Sequence, residues 1–317
     1  MKVLFTISNI TEQQEEHLAS RFRNCTFTFL KDKDELTDHI KEAEILVTYG
    51  SDVTEEIINE ANQLKWIQVL SAGVNNLPLE AISAKGILVT NARGIHKVPM
   101  SEYALSMLLH VYRREDQVVK DQVNKHWNRK YTVKEISGKT LLVLGTGAIG
   151  QEVARLAKAF HMKTIGISRS GEKVDYFDEN YGVNHLNSLL PKGDFIISVL
   201  PSTKETAYLL REEHFELMKE DAVFLNMGRG DLVSTETLIK VAQEKKIAHL
   251  ILDVFEEEPL PKDSPLWSQE NVTITPHISG VSSRYLERAL GIFKENMHIY
   301  GKRKEELINK INLERGY

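Results

Sequence analysis

The chain has 317 residues, an apolar fraction of 42%, a charged fraction of 27% and a net charge of −5. These values are typical of a folded globular protein of about two domains, and they exclude a mainly disordered chain. The acidic balance and the lack of a long basic block predict that nucleic acid is not a partner.

Cys25 is the only cysteine, which excludes an intrachain disulfide and a thiolate metal cluster. No apolar run approaches the ~20 residues of a membrane span, and the apolar start at residues 1–7 is too short for a signal peptide. We therefore expect a cytoplasmic enzyme without a metal or a membrane partner. Lys302-Arg303-Lys304 lies beside two glutamates and is interpreted as a solvated helix face.

Short apolar segments alternate with helix-like segments over the first hundred residues. Residues 2–7, 25–30, 45–49, 66–70 and 86–90 are predicted strands, and 11–23, 32–43 and 51–64 are predicted helices. This alternation predicts a parallel sheet covered by helices on both faces, and hence a small doubly wound α/β domain.

Two loops of this first domain are candidate ligand sites. Ser71-Ala72-Gly73-Val74-Asn75-Asn76 follows the fourth strand, and its residues are small and polar and able to point backbone N–H groups at an anion. Asn91-Ala92-Arg93-Gly94-Ile95-His96 follows the fifth strand. An ordinary turn is the alternative for both. Residues 101–122 then predict one long amphipathic helix with Ser101 as its N-cap.

A glycine-rich motif follows the apolar run at residues 141–144. It reads Gly145-Thr146-Gly147-Ala148-Ile149-Gly150 and precedes a helix-like segment at 151–160. In this context Gly145 makes a tight turn, Gly147 lets a pyrophosphate approach the backbone, and Gly150 packs the helix against its strand. The N–H groups and the dipole of the helix favour a phosphate. The motif predicts a dinucleotide site, with a purely structural turn as the alternative.

The strand predicted at 163–167 ends in Ser168-Arg169-Ser170. An acidic residue at this position would bind the ribose 2′-hydroxyl of NAD. A guanidinium with two hydroxyls instead suits a 2′-phosphate by charge and by its forked geometry. The sequence therefore favours NADP over NAD, and an Arg169 that is only a surface residue is the alternative.

Four further strands are predicted at 194–200, 222–226, 249–254 and 272–275. Arg229, Glu258 and His277 follow the last three of them. Because the carboxyl ends of parallel strands share one crevice, we expect these side chains to lie together beside the dinucleotide. Each of them taken singly is also compatible with a solvated loop charge.

These motifs, taken together, resemble the D-isomer-specific 2-hydroxyacid dehydrogenases. The resemblance rests on residues 71–75, 89–91, 145–150, 200–203, 226–230, 253–255, 258–261 and 275–277, in the order of the family. It implies an α/β fold of two doubly wound parallel-sheet domains: a Rossmann cofactor domain at 99–280, and a smaller flavodoxin-like substrate domain at 1–98 and 281–317. Residues 93–103 and 168–170 are most similar to the NADPH-preferring glyoxylate/hydroxypyruvate reductases.

The resemblance implies hydride transfer from NAD(P)H to a small 2-oxoacid, glyoxylate or hydroxypyruvate. His277 would donate the proton, Glu258 would hold its ring, and Arg229 would pair with the substrate carboxylate. The substrate-binding residues would be Tyr49, Ala72, Gly73, Val74, Arg229 and His277. The cofactor-binding residues would be Gly145, Thr146, Gly147, Ala148, Ile149, Gly150, Ser168, Arg169, Ser170, Leu200, Pro201, Thr206 and Asp253, with Asp253 at the nicotinamide carboxamide.

The resemblance also implies a homodimer, in which Trp127 reaches the active site of the partner. Two other functions stay open at this point. One is a D-lactate or D-2-hydroxyisocaproate dehydrogenase, and the other is a nucleotide-sensing, corepressor-like binding protein.

Overall fold

The computed structural model describes residues 1–32, 35–74, 76–301 and 306–313. The basic cluster Lys302-Arg303-Lys304 and Asn75 of the 71–75 motif lie outside these residues. The chain divides into two compact units, residues 1–95 with 282–317 and residues 96–281. The predicted boundaries lie three residues after the first of these limits and one residue before the second. The helix that begins at Lys97 belongs entirely to the second unit, which explains the larger difference.

The first unit alternates strands with short helices up to residue 90. Its elements are β1 (Lys2–Phe5), α1 (Glu12–Arg21), β2 (Thr26–Phe29), α2 (Leu36–His39), β3 (Ile45–Thr48), α3 (Glu55–Glu60), β4 (Trp66–Val69), α4 (Leu79–Ala84) and β5 (Leu88–Thr90). The five strands form one parallel sheet in the order β2-β1-β3-β4-β5. This is the flavodoxin-like order.

The second unit contains two helices followed by a longer alternation. Its elements are α5 (Lys97–Arg113), α6 (Glu115–Val123), β6 (Thr140–Leu144), α7 (Ala148–Ala159), β7 (Lys163–Ser168), β8 (Glu179–Gly182), α8 (Leu186–Leu189), β9 (Phe195–Ser198), α9 (Glu212–Glu216), β10 (Val223–Asn226), α10 (Thr235–Gln243), β11 (His249–Leu252) and β12 (Val272–Ile274). No helix among the described residues is long and apolar enough to cross a membrane.

The second sheet has seven parallel strands in the order β12-β11-β10-β9-β6-β7-β8. Counted from β6, the first six strands follow the Rossmann order, and β12 adds a seventh strand beside β11. The order reverses between β6 and β9, and the carboxyl ends of these strands form the crevice in which such folds bind ligands. The expected fold class is therefore confirmed for both sheets.

Central strands of both sheets are apolar along their length because both faces are covered. Every residue of β3, β4, β9 and β10 is buried. Each unit has two apolar clusters. This is the pattern expected of a parallel sheet with helices on both faces, and it explains why these strands stand out in the sequence.

The last helix, α11 (Tyr285–Tyr300), returns to the first unit. Its Phe293 ring packs edge-on against Phe5, with ring centroids 5.4 Å apart, and lies 5.7 Å from the Trp66 ring. The Ile311 N–H then donates to the Val89 carbonyl oxygen at 2.9 Å, beside β5. Residues of α11 and Ile311 thus pack into the apolar core of the first unit.

The long helix predicted at 101–122 is wrong in two respects. It begins earlier, at Lys97, so that Ser101 lies inside α5 and its hydroxyl donates to the Val98 carbonyl oxygen instead of capping the helix. Pro99 is tolerated because N–H groups of a first helical turn have no intrahelical partner. The segment also breaks at Arg114, whose φ of 57° is left-handed, so α5 and α6 are separate helices.

Gly150→Ala is expected to destabilise the second unit. A Cβ at this position would lie 1.9 Å from the Gly145 carbonyl oxygen, which no rotamer relieves. Overpacking of this kind costs about 1–3 kcal/mol, and thermal unfolding measures it. The matched control is Gly291→Ala in α11, where the added Cβ meets open space and alanine favours the helix by about 1 kcal/mol. A Gly150→Ala protein that unfolds like the wild type would contradict this packing.

Candidate active site

The glycine-rich turn joins β6 to α7. Gly145 has a φ of 107°, which glycine adopts without strain. Gly147 is the N-cap of α7, and it has no side chain to occupy the N–H groups of the first turn. The Gln151 amide donates to the Thr146 carbonyl oxygen at 2.9 Å and braces the turn. These N–H groups and the positive end of a 12-residue helix fit a pyrophosphate.

A cavity of about 310 Å³ lies at the carboxyl ends of β6, β7 and β9. Its lining is mostly apolar and includes a few polar groups, which suits a nucleoside. Leu144, Ile167, Ser168, Arg169, Val183, Leu186, Leu200, Pro201, Thr203, Glu205, Thr206 and Leu209 line it. Five predicted cofactor residues are thus brought together, whereas Ser170 is not part of the lining.

The loop after β9 is tied by the Thr206 hydroxyl. This hydroxyl donates to the Pro201 carbonyl oxygen at 2.6 Å and accepts from the Thr203 N–H at 2.8 Å. Thr206 therefore shapes the cavity wall as well as lining it. The predicted site residues of this loop owe their positions to that pair of hydrogen bonds.

Two opposite charges face the same cavity. Arg169 is exposed at the end of β7, on a turn where the Ser168 hydroxyl accepts from the Gly171 N–H at 3.1 Å. Glu205 lines the cavity as well. The Thr203 hydroxyl, the backbone N–H of Glu205 and the charge of Arg169 hold the pKa of the Glu205 carboxyl below its usual range. The sequence analysis missed Glu205, although its place in the loop after β9 was a usable signal.

Three loops leave the sheet side by side at β10, β11 and β12. Asn226 pairs with Leu252, and Leu252 pairs with Ile274, so the three strands end at nearly the same level. Arg229, Glu258 and His277 follow these strands as predicted. Their common edge results from the parallel register.

Glu258 and His277 form a direct pair. Nδ1 of His277 lies 2.7 Å from Oε2 of Glu258, and the side chains are 50% and 35% exposed. Burial raises the pKa of the Glu258 carboxyl, but hydrogen bonds from His277 and from the Phe255 N–H outweigh it, and the charge of Arg229 acts in the same direction. The net pKa is lowered, which keeps Glu258 ionised. Neighbouring Glu256 instead accepts from the Thr235 N–H at the start of α10.

Arg229 is held by its own loop. One guanidinium N–H donates to the Gly228 carbonyl oxygen at 2.7 Å. Buried Asn226 donates to the Arg229 carbonyl oxygen at 2.9 Å and accepts from the Gly228 N–H at 3.2 Å. The remaining guanidinium donors are suited to bind a carboxylate bidentately. Asn226 is a positioning residue that the sequence analysis missed, although its place at a strand end was a signal.

Asp253 holds the turn that carries His277. It is fully buried, and its Oδ1 accepts from the Thr275 hydroxyl at 2.5 Å and from the Ile278 N–H at 2.9 Å. Its Oδ2 accepts from the Ser279 N–H at 3.0 Å. Within this turn His277 has a left-handed φ of 54°. The predicted contact of Asp253 with a nicotinamide carboxamide stays a prediction.

The substrate residues predicted in the first unit lie around a separate cavity of about 240 Å³. Tyr49, Gly73 and Val74 line it, while Ala72 does not. The Asn91 amide donates to the Ala72 carbonyl oxygen at 2.5 Å and so fixes the loop from the end of β5. Asn91 thereby connects the two loops that the sequence singled out.

The chain is similar to a known protein family and to known proteins over more than half of its length. The model of the D-isomer specific 2-hydroxyacid dehydrogenase NAD-binding domain matches residues 105–279. A glyoxylate reductase of Pyrococcus furiosus is 32% identical over 88% of this chain and 86% of its own length. A D-3-phosphoglycerate dehydrogenase of Methanocaldococcus jannaschii is 37% identical over 89% of this chain, but the match spans only 54%, about half, of that relative.

A solved structure covers nearly the whole chain. It is a D-isomer specific 2-hydroxyacid dehydrogenase family protein from Aeromonas salmonicida, with a TM-score of 0.86 and 35% identity over 98% of this chain and 99% of its own. The range that the family model matches includes the glycine-rich turn and the loops after β10, β11 and β12. The chain belongs to the D-isomer-specific 2-hydroxyacid dehydrogenases, oxidoreductases that act with NAD(P)H.

Proposed function

We propose that the protein reduces a small 2-oxoacid, glyoxylate or hydroxypyruvate, to the D-2-hydroxyacid. The observation that carries this proposal is the 2.7 Å contact between His277 and Glu258 on loops that adjoin the Arg229 loop. A proton donor, a carboxylate that orients it and a cation for the substrate carboxylate are the groups that this reduction needs. The alternative of a corepressor-like binding protein gives no reason for such a pair.

His277 is the proposed acid. Ionised Glu258 only accepts hydrogen bonds, so Nδ1 of His277 must donate to it, and Nε2 is left to carry the proton that goes to the carbonyl oxygen. Reduction therefore uses the protonated ring, and oxidation of the hydroxyacid uses the neutral ring.

Arg229 is the proposed carboxylate anchor. Its bond to the Gly228 carbonyl oxygen fixes the direction of the guanidinium, and its other donors form two parallel bonds to a carboxylate. The positive charge also polarises the carbonyl beside that carboxylate. We assign the backbone N–H groups of Gly73 and Val74 to the carboxylate as well, with Tyr49 limiting the length of the side chain. A bound nicotinamide supplies the hydride.

A panel of 2-oxoacids tests the reaction. We expect kcat/KM for the reduction of glyoxylate and hydroxypyruvate to be higher than kcat/KM for the reduction of pyruvate or 2-oxoisocaproate. We also expect kcat/KM for the oxidation of D-3-phosphoglycerate to be no higher than that for glyoxylate and hydroxypyruvate. His277→Gln should lower kcat about 10²–10⁴-fold, the usual contribution of a general acid. His185→Gln, an exposed histidine of the same unit, is the control. A His277→Gln enzyme with undiminished turnover would refute the mechanism, and a preference for longer 2-oxoacids would refute the substrate.

We propose NADP as the preferred cofactor, supported by Arg169 at the end of β7 and the lack of an acidic residue at 168–170. Arg169→Ala should raise KM for NADPH and leave KM for NADH nearly unchanged, because only NADPH has a 2′-phosphate. Glu205→Gln should act oppositely and lower KM for NADPH, since it removes an anion from the same cavity. Steady-state kinetics with both cofactors measures these effects. A wild-type enzyme that prefers NADH would overturn the proposal.

We propose that the protein is a homodimer that covers an apolar surface on α6 and the loop after it. Val119, Val123 and Trp127 are 58%, 76% and 90% exposed. The loop is nevertheless ordered by Asp121, which accepts from the Asn128 amide and the Tyr131 hydroxyl. A fixed apolar surface of this kind is typical of a protein interface.

Sedimentation tests this surface. The wild type should sediment as a dimer, and the double variant Val123→Ser, Trp127→Ser as a monomer. Trp267→Ser removes another exposed tryptophan and should leave the dimer intact. A monomeric wild type would contradict the proposal. A Trp127→Ser dimer with full activity would leave Trp127 without a role in the active site of the partner.

A further inference from the structure

The turn that carries His277 needs support from outside itself. A left-handed φ at a residue other than glycine persists only when surrounding contacts impose it. The His277 N–H donates to the backbone carbonyl oxygens of Asp253 at 2.9 Å and of Thr275 at 3.0 Å. The imidazole itself is half exposed, so little packing holds the ring from above. The position of the ring thus depends on the backbone below it.

The carboxylate of Asp253 fixes that backbone. It accepts from the N–H groups of Ile278 and Ser279, the two residues that follow His277, and from the Thr275 hydroxyl. A buried carboxylate is costly unless such donors satisfy it, so turn and carboxylate stabilise each other. Rotation of this one side chain would displace every residue of the turn.

Thr275 links this carboxylate to helix α5. Its hydroxyl has one proton, and that proton goes to Asp253. The contact of 2.7 Å between the hydroxyls of Thr275 and Tyr103 must then run from Tyr103 to Thr275. Burial is the main cause that raises the pKa of Tyr103, and the charge of Asp253 acts in the same direction. The Tyr103 hydroxyl therefore stays protonated at neutral pH and remains a hydrogen-bond donor.

We propose that Tyr103 is a positioning residue for the proton donor. Through Thr275 and Asp253 it holds residues 275–279 so that His277 keeps its contact with Glu258. Tyr103 lies 172 positions before Thr275 in the chain, so only the folded structure brings the two hydroxyls together. The inference rests on the proposed role of His277, and it names Tyr103 on α5 as a residue that supports that role.

The test compares two tyrosines of α5. Tyr103→Phe removes the hydroxyl at the start of the relay, and we expect kcat to fall about tenfold with KM nearly unchanged, less than the ~10²-fold cost of a 1 Å misplacement. Tyr112→Phe is the matched control, because the buried Tyr112 hydroxyl has no hydrogen-bond partner among the described residues. That control should keep the wild-type kcat.

Hydrogen exchange gives a readout that is independent of activity and of the cofactor. In Tyr103→Phe the amides of Ile278 and Ser279 should exchange at least tenfold faster, while amides of β9 and β10 keep their protection. Thr275→Val should likewise lower kcat and speed the exchange of these two amides. Thr275→Ser should keep the wild-type kcat and exchange because it retains a hydroxyl. If Tyr103→Phe does not fold, the comparison of Thr275→Val with Thr275→Ser tests the proposal instead.

The outcomes separate this inference from the proposed function. Wild-type kcat and wild-type exchange in Tyr103→Phe and Thr275→Val would overturn the inference, even if His277→Gln is inactive. Faster exchange at residues 278–279 with unchanged kcat would also overturn it, since the turn would then move without consequence. If the wild-type protein reduces no 2-oxoacid, the proposed function fails, and the exchange data still decide whether Tyr103 holds the turn.

Discussion

The parallel register of β10, β11 and β12 is the constraint on which the active site depends. Parallel neighbours place all their carboxyl ends at one edge, so loops that are far apart in the chain begin within one strand spacing of each other. Asn226, Leu252 and Ile274 are aligned across the three strands. A slip of one residue in β12 would turn the side chains of that strand to the opposite face and carry His277 away from Glu258. The buried apolar residues of β10 and β11 hold the register of these two strands, and they thereby maintain the positions of the loops that carry Arg229 and Glu258.

Much of this arrangement follows from the sequence for a physical reason. Strands buried on both faces leave continuous apolar runs, and the glycine spacing at 145–150 reflects close contacts that a side chain would break. The chemistry of Arg229, Glu258 and His277 is visible because each follows such a run. Strand ends are less predictable: residues 194–200 were predicted as one strand, and the pairing covers only Phe195–Ser198. Val199 and Leu200, which follow the paired residues, are apolar as well, so hydrophobicity alone does not mark where pairing ends.

Other features depend on contacts that no local pattern encodes. The break between α5 and α6 rests on a left-handed arginine, Arg114, which has no distinctive sequence signal. Strand β8 was not predicted, because its residues are all half-buried and its composition, Glu-Asn-Tyr-Gly, is not typical of a strand. The link from Tyr103 to Thr275 joins two elements far apart in the chain. Only the folded structure brings such groups together, so a contact like this one cannot be predicted from the sequence alone.

Working groups and supporting groups are separated by burial. His277 and Glu258 are half and one-third exposed, which agrees with the roles proposed for them, whereas Asp253 and Asn226 are almost completely buried. An exposed side chain on a loop is mobile by itself, and a buried polar group with all its hydrogen bonds made is not. The buried side chains thus hold the exposed ones in place through hydrogen bonds to backbone N–H and carbonyl groups of the loops. Because so few hydrogen bonds join α5 to this turn, we expect the loss of the Tyr103 hydroxyl alone to shift His277, the proposed proton donor.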